Sequence, residues 1–226
     1  MDVLDQLAEP AVALSGRVDD ILAVAGAPDG HRIWPLLRRL RVLPGDAVRA
    51  VLGLRPGALA AAGGVDADLR RAYREAQAAL SAAGSWQGPA AEAYAAHRRG
   101  LAGHLTGQAG RAAATTAYAE AVAGWIADTR YALARTLADV LGSAEAVAVQ
   151  TAPAGGSKPA PWAAGPVGLP VGAAAAEIGA RILATVDEAY DRAEELPRHW
   201  AAELDLLDHR PPEVPVVRPD GGRISL

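Results

Sequence analysis

Residues 84–94 read Gly84-Ser85-Trp86-Gln87-Gly88-Pro89-Ala90-Ala91-Glu92-Ala93-Tyr94, and they separate two segments with helical periodicity. A Trp at the tip of a helical hairpin covers the open end with a large apolar ring. Gly88 permits a backbone conformation that a side chain forbids. Pro89 suits the first turn of a helix, and Glu92 adds the negative charge favoured there. These residues predict a helix–turn–helix with Trp86 at the turn.

Outward from this turn, apolar residues recur at intervals of three and four along most of the chain. The seam that follows the turn runs from Tyr94 to Val140, and a heptad pattern occupies residues 2–25. The last helix has a seam of its own, which includes Ile178 and Trp200. Such spacing gives a helix one apolar face. The chain is also rich in Ala and has no Phe, a composition that favours helices over strands. We therefore predict an all-α fold, an elongated helical bundle built on antiparallel helical hairpins.

Pro- and Gly-containing breaks divide the chain into five segments. Residues 1–55 form an N-terminal helical segment, in which the heptad helix precedes two short basic helices and Asp46 caps the second. Residues 56–150 form the hairpin. In its first helix, Gly63-Gly64 lowers stability and Asp66 begins the helix again. In its second helix, a cluster of glycines predicts bending or close packing. Residues 151–170 are a Pro/Gly/Ala linker, 171–208 a C-terminal helix packed on the bundle, and 209–226 an extended tail. The glycines of the cluster are Gly100, Gly103, Gly107 and Gly110.

Charge and motif content argue against several functional classes. The net charge of −4 over 226 residues disfavours a general nucleic-acid binder. There is no Cys, no apolar run of about 20 residues and no nucleophile or phosphate-loop motif. His97 and His104 lie seven residues apart, too far to share one metal ion without a further ligand. We therefore predict no catalytic, cofactor-binding or metal-binding residue, and a protein that is not an enzyme.

The turn resembles the WXG family of type VII secretion substrates, whose signature is a Trp-x-Gly turn in a helical hairpin. Longer actinobacterial members share the pattern W-x-G-x-A-A-x-A-Y, which residues 86–94 match, and the resemblance covers residues 56 to about 140. It implies secretion, or display at the cell surface, through an ESX-like system after a cytoplasmic stage. The N-terminus lacks the basic and apolar regions of a cleavable signal peptide. The implied partner is a WXG-like protein, the secretion ATPase or a second copy of the chain.

The family's export signal, Tyr-x-x-x-Asp/Glu on a helix, is matched by Tyr190 and Glu194. Residues four apart share one helix face, so a partner can contact both side chains together. The other tyrosines have no acid four residues later. About 100 residues separate Trp86 from Tyr190, which departs from the short family members and fits longer substrates whose two halves are fused in one chain.

Two alternatives remain open. In the first, the chain is a cytoplasmic chaperone or immunity-type partner of such substrates. In the second, it is a secreted effector that acts at a membrane surface. The second alternative rests on Trp34, Arg38, Arg39 and Arg41, which belong to an amphipathic basic segment suited to an anionic membrane. The arginines of this segment can equally pair with acidic side chains of the last helix, and we favour that internal pairing. The acidic residues are Asp187, Glu188, Asp191, Glu194 and Glu195.

Overall fold

The fold is an all-α helical bundle, as the sequence predicts. The computed structural model describes residues 2–81, 87–153 and 170–201, except for the side chains of residues 60–66 and 81. Within these ranges there are eight helices and no strands. They are α1 (Val3–Gln6), α2 (Ala8–Ala25), α3 (Ile33–Leu40), α4 (Pro44–Gly53), α5 (Gly57–Ser81), α6 (Pro89–Leu141), α7 (Ala144–Thr151) and α8 (Val171–His199). None of them combines the length and apolar character needed to cross a membrane.

The described residues group into two compact units that interleave along the sequence. The first comprises those of 1–61 and 119–199, and the second those of 62–118 and 200–226. The sequence-based segments 1–55, 56–150, 151–170, 171–208 and 209–226 follow breaks in helical periodicity, whereas these units follow contacts. Residues 154–169 of the predicted linker and the whole predicted tail lie outside the described residues.

Helix α8 forms the centre of the first unit and packs against α2, α3, α4 and α7. Its inward face carries the predicted seam, with Ile178, Ile182 and Val186 buried. The first half of that face is built from small residues, so neighbouring helices come close. A Cβ added at Gly179 would lie 2.8 Å from Ile33 Cδ1 of α3. Close packing of this kind is what an Ala- and Gly-rich helix permits.

The predicted N-terminal heptad is found in α1 and α2. Leu4, Leu14 and Val18 of this pattern are buried in the core. The helix is interrupted at Leu7, and Pro10 lies in the first turn of α2, where its missing N–H leaves no hydrogen bond unmade. A predicted seam of one helix is therefore divided between a short capped helix and a longer one.

The prediction that Asp46 caps the second short helix is wrong. Helix α4 begins at Pro44 and places Asp46 inside its first turn. The carboxylate of Asp19, from α2, instead accepts the N–H of Gly45 at 3.1 and 3.2 Å. Burial raises the pKa of Asp19, while the Gly45 hydrogen bond opposes that rise. A distant carboxylate thus replaces the local cap, an arrangement that sequence spacing cannot reveal.

Two expectations about glycines in the long helices also differ from the structure. The backbone of α5 is helical through Gly63-Gly64 and Asp66, so no restart occurs there. Helix α6 continues through its glycine cluster without a break. A Cβ added at any of these glycines would have no neighbour within 4 Å in the described part of the chain, so the cluster does not mark close packing; the residues are Gly100, Gly103, Gly107 and Gly110. A glycine in a helix interior lowers stability without necessarily breaking the helix. The true break comes at Gly142-Ser143, where Ser143 caps α7.

In the second unit, a hydrogen bond between side chains joins α5 to the first half of α6. Gln77 Nε2 donates to Thr106 Oγ1 at 2.9 Å. The rings of Tyr118 and Trp200 meet edge to face, with centroids 6.2 Å apart. The predicted seam of the last helix includes Trp200, which lies just past the end of α8.

Candidate functional site

Tyr190 and Glu194 lie one turn apart on α8, and both side chains face solvent. Tyr190 is 58% exposed, and the Glu194 side chain is also 58% exposed. Four residues advance about 400° along a helix, so the two side chains diverge by only about 40°. Ala189, beside Tyr190, is buried and belongs to the core seam. The core therefore holds this part of α8 in place while leaving the tyrosine and the carboxylate accessible together.

The charged neighbours of Tyr190 connect α8 to α3. Arg39 of α3 forms ion pairs with Asp187, at 3.0 Å, and with Asp191. These two acids precede and follow Tyr190 on the same helix. Glu194 in turn pairs with Arg198 at 3.7 Å. Tyr190 is thus an exposed aromatic ring bordered by carboxylates whose charges are partly compensated.

Behind Tyr190, α6 holds α8 through a hydrogen bond from a tryptophan. Trp125 Nε1 donates to the carbonyl oxygen of Ala189 at 2.9 Å. Further along, Thr136 and Thr185 share a hydrogen bond of 2.8 Å between their hydroxyl oxygens. Trp125 also lines a cleft of about 460 Å³ with Arg192 and Leu196, and Tyr190 does not line it. The tyrosine belongs to an outer surface rather than to a cavity.

The predicted pairing between the basic segment and the acidic residues of the last helix is confirmed for Arg39, which joins Asp187 and Asp191. On the same flank of α3, Arg32 joins Glu177 of α8, which was not among the predicted acids. Burial favours a higher pKa for Glu177, but hydrogen bonds from Arg32 and Arg181 outweigh it and lower that pKa. Glu177 is therefore held as a carboxylate between two guanidinium groups.

The opposite flank of α3 carries Trp34 and Arg38, with Arg41 at the helix end. All three side chains are exposed, and Trp34 Nε1 donates to the carbonyl oxygen of Pro28 at 3.0 Å. Neither Arg38 nor Arg41 forms an ion pair with any residue that the structure describes. Of the four residues predicted for a membrane or partner surface, Arg39 is thus engaged on α8, and the other three form a separate exposed flank.

The predicted turn is only partly visible. Trp86 lies outside the described residues, so its position stays a prediction. Gly88 has a φ of +105°, a conformation that L-residues with a Cβ rarely adopt. Helix α6 begins at Pro89, as the sequence predicts. The glycine and proline of the motif therefore occupy the backbone positions that their chemistry suits.

Sequence reasoning missed a buried ionic centre around Arg130. This side chain is only 2% exposed, and its Nε and Nη2 donate to Asp2 at 2.6 and 2.9 Å. Nη2 also donates to Asp5 at 2.7 Å. Nη1 donates to three carbonyl oxygens at the end of α4, those of Val51, Leu52 and Leu54, at 3.0 to 3.1 Å.

Arg130 thereby joins three helices through one guanidinium. It adds a charged donor to carbonyl oxygens at the end of α4 and offsets part of the negative charge of the two acids at the start of α1. One signal was available in the sequence: Arg130 lies at a seam position, four after Ile126 and three before Leu133. A charged residue in the middle of an apolar seam indicates either an error in the helix assignment or a buried partner.

The chain matches no protein-family model, no curated protein and no solved structure. The resemblance to WXG proteins therefore continues to rest on residues 84–94 and on the spacing of Tyr190 and Glu194. Within the described ranges, no group of three His, Asp or Glu side chains is placed to hold a metal ion.

Proposed function

We propose that this chain is a substrate of a type VII secretion system, or a protein associated with such a substrate, and that it acts through protein–protein contacts rather than catalysis. One observation carries the proposal: Tyr190 and Glu194 are exposed side by side on α8, a helix whose opposite face is core. A linear signal of Tyr and acid at this spacing requires a helix that is both formed and accessible. The glycine conformation at Gly88 and the helix start at Pro89 give further support to the WXG-like turn.

The surroundings of Tyr190 suit a recognition epitope. An exposed tyrosine offers a large rigid ring and a hydroxyl, and tyrosine is among the residues enriched at the energetic centres of interfaces. Arg39 forms ion pairs with Asp187 and Asp191 on either side of it, which lowers the entropy lost when a partner binds these acids. A partner such as the secretion ATPase or a WXG-like protein then meets a preformed surface.

The test is export of Tyr190→Ala compared with Tyr131→Ala. Tyr131 is a matched control because it is 61% exposed on α6 and is followed at the fourth position by Arg135 rather than by an acid. Both variants are expected to fold, since both rings are largely in solvent. We expect Tyr190→Ala to stay in the cell lysate, while Tyr131→Ala reaches the culture filtrate like the wild type.

Normal export of Tyr190→Ala refutes the assignment of the signal. If the wild-type chain itself stays in the lysate and co-purifies with an exported WXG-like protein, the alternative of a cytoplasmic chaperone or immunity-type partner replaces the proposal. Helix content from far-ultraviolet circular dichroism, measured on all three proteins, separates a loss of recognition from a loss of folding.

A further inference from the structure

We propose that the outer flank of α3, formed by Trp34, Arg38 and Arg41, binds the surface of a bilayer that contains anionic lipids. The flank differs in charge balance from the rest of α3. Arg32 and Arg39, seven residues apart, lie on one side and are compensated by acids of α8. On an ideal helix, Trp34 and Arg38 lie within about 40° of each other and about 100° or more from Arg39.

The cationic part of this flank has no counter-ion within the molecule as far as the structure describes it. Arg38 and Arg41 are exposed, and neither forms an ion pair with a described residue, whereas Arg49 and Arg71 of other helices each pair with an aspartate three residues earlier. Cations in the last turn of a helix also favour its dipole, which accounts for part of the role of Arg38. The helix dipole does not account for the backbone conformation of Arg41.

Arg41 occupies a position where glycine is the stable choice. It ends α3 with a φ of +55° and a ψ of +35°, in the left-handed region. Helices commonly end with a glycine in this conformation, because a Cβ makes it unfavourable. An arginine at this position costs stability, and its side chain recovers none of that cost through an ion pair with a described residue. Strain of this kind is often retained where the side chain serves binding.

Trp34 gives the flank an apolar anchor that is ready for an interface. The side chain is 39% exposed, and its only donor, Nε1, is already bonded to the carbonyl oxygen of Pro28. The ring can therefore enter the headgroup region without leaving a donor unsatisfied. Tryptophan and arginine together are the pattern of proteins that rest on anionic membranes.

The shape of the flank favours a bilayer over an acidic protein. The three side chains lie along the outer side of a single surface helix, and Arg41 extends the row past its end. A helix edge is convex, and a flat, fluid surface can meet it without a complementary groove. Protein partners, in contrast, place their main anchors in well-packed pockets. The proposal does not depend on export, so the secretion test and the membrane test can fail independently.

The experiment is co-sedimentation of the full chain with vesicles of phosphatidylcholine alone and of phosphatidylcholine mixed with phosphatidylglycerol. We expect binding only to the anionic vesicles, and weaker binding as salt is added. A basic residue near an anionic surface contributes about a fivefold change in affinity, so the double variant Arg38→Gln/Arg41→Gly should bind about 25-fold more weakly.

Two controls keep the result specific. The double variant Arg49→Gln/Arg71→Gln removes the same charge from exposed, internally paired arginines and should bind like the wild type. The single variant Arg41→Gly should melt at a higher temperature than the wild type while binding vesicles about fivefold more weakly, which rules out misfolding as the cause.

Three outcomes overturn the proposal. The first is absence of wild-type binding to anionic vesicles, and the second is an equal loss in both double variants. The third is self-association of the wild type, abolished in Arg38→Gln/Arg41→Gly, without vesicle binding; it assigns the flank to an interface between copies of the chain.

Discussion

At the scale of single residues, Arg130 joins α1, α4 and α6 of the first unit through one side chain. Its guanidinium is buried and bonded to two carboxylates and to three carbonyl oxygens at the end of α4. The helical seam around it was predictable from Ile126, Leu133 and Leu137, but its partners were not. Asp2 and Asp5 are more than 120 residues away in sequence, and periodicity carries no information about which distant groups meet.

Replacing Arg130 with methionine tests this role. The variant keeps an apolar stem but removes a charged donor from the carbonyl oxygens at the end of α4. It also removes the arginine that binds Asp2 and Asp5, and among the described residues leaves Asp5 with only Arg55, at 4.0 Å. Hydrogen bonds to a charged group contribute about 1.5–3 kcal/mol, and we expect a loss in that range. The larger cost of an uncompensated buried charge does not apply, because the Asp2 and Asp5 side chains are 46% and 32% exposed and can be hydrated. Chemical denaturation measures the change. Arg135→Met, at an exposed position of the same helix, should change stability by less than about 0.5 kcal/mol.

The same centre has a definite dependence on pH. Hydrogen bonds from Arg130 are the main cause that lowers the pKa of Asp2 and of Asp5 below the ordinary value of 3.8. A carboxyl with a lowered pKa in the folded state contributes stability above its unfolded pKa, and the contribution is lost as the pH falls. The difference in unfolding free energy between the wild type and Arg130→Met should therefore shrink below about pH 4.

The pKa of Asp19 is shifted in the opposite direction, but this shift does not affect the comparison between the wild type and Arg130→Met. Burial raises its pKa, so its own contribution to stability decreases as the pH rises through the range between its unfolded and folded pKa values. Because Asp19 is present in both proteins, its effect cancels in the difference. A difference in unfolding free energy that stays constant from neutral pH to pH 2 contradicts the role assigned to Arg130.

At the scale of helices, the sequence predicted where elements form better than how they end or meet. The two short helices after the heptad, the start of α6 at Pro89 and the seam of α8 follow from spacing and from proline chemistry. The cap of α4 could not be predicted from spacing, because its carboxylate comes from Asp19 of another helix. The continuity of α5 through Gly63-Gly64 was also missed, since the penalty for glycine is small compared with the rest of a long helix.

The space around two helical glycines predicts opposite changes in stability when each is replaced by alanine. Gly179→Ala places a Cβ 2.8 Å from Ile33 Cδ1 and 3.0 Å from Pro44 Cγ, so the Ile33 side chain and the Pro44 ring must move aside, and we expect a loss of about 1 kcal/mol. Gly124→Ala, at an exposed site of α6 with no neighbour within 4 Å among the described residues, should gain about 0.5–1 kcal/mol. Thermal unfolding of both variants checks the pair. Stabilisation by Gly179→Ala is incompatible with the packing described for α8.

At the scale of the whole molecule, charge placement rather than net charge distinguishes the candidate surfaces. The chain carries 22 basic and 26 acidic residues, a nearly balanced total that indicates little by itself. The structure separates compensated arginines, such as Arg32 and Arg39, from Arg38 and Arg41, which have no ion-pair partner in the described ranges. The composition indicated one basic segment, but only the fold shows that one of its flanks is paired with acids of α8, whereas the other forms no ion pair in the described ranges.

The candidate export signal was predictable from the sequence as a pattern, but its accessibility was not. Tyr190 lies at the edge of the core seam, where spacing alone allows either a buried or an exposed ring. In the structure Ala189 takes the buried position and Tyr190 the exposed one. Trp86, the residue on which the family resemblance most depends, lies outside the described residues and stays a prediction.

We propose that this chain leaves the cell through a type VII system. The most direct measurement is detection of the wild-type chain in culture filtrate and cell lysate, with and without the secretion ATPase. We predict that the chain appears in the filtrate when the ATPase is present and only in the lysate when it is absent. Equal amounts in the filtrate of both strains, or confinement to the lysate in both, contradicts the proposed function.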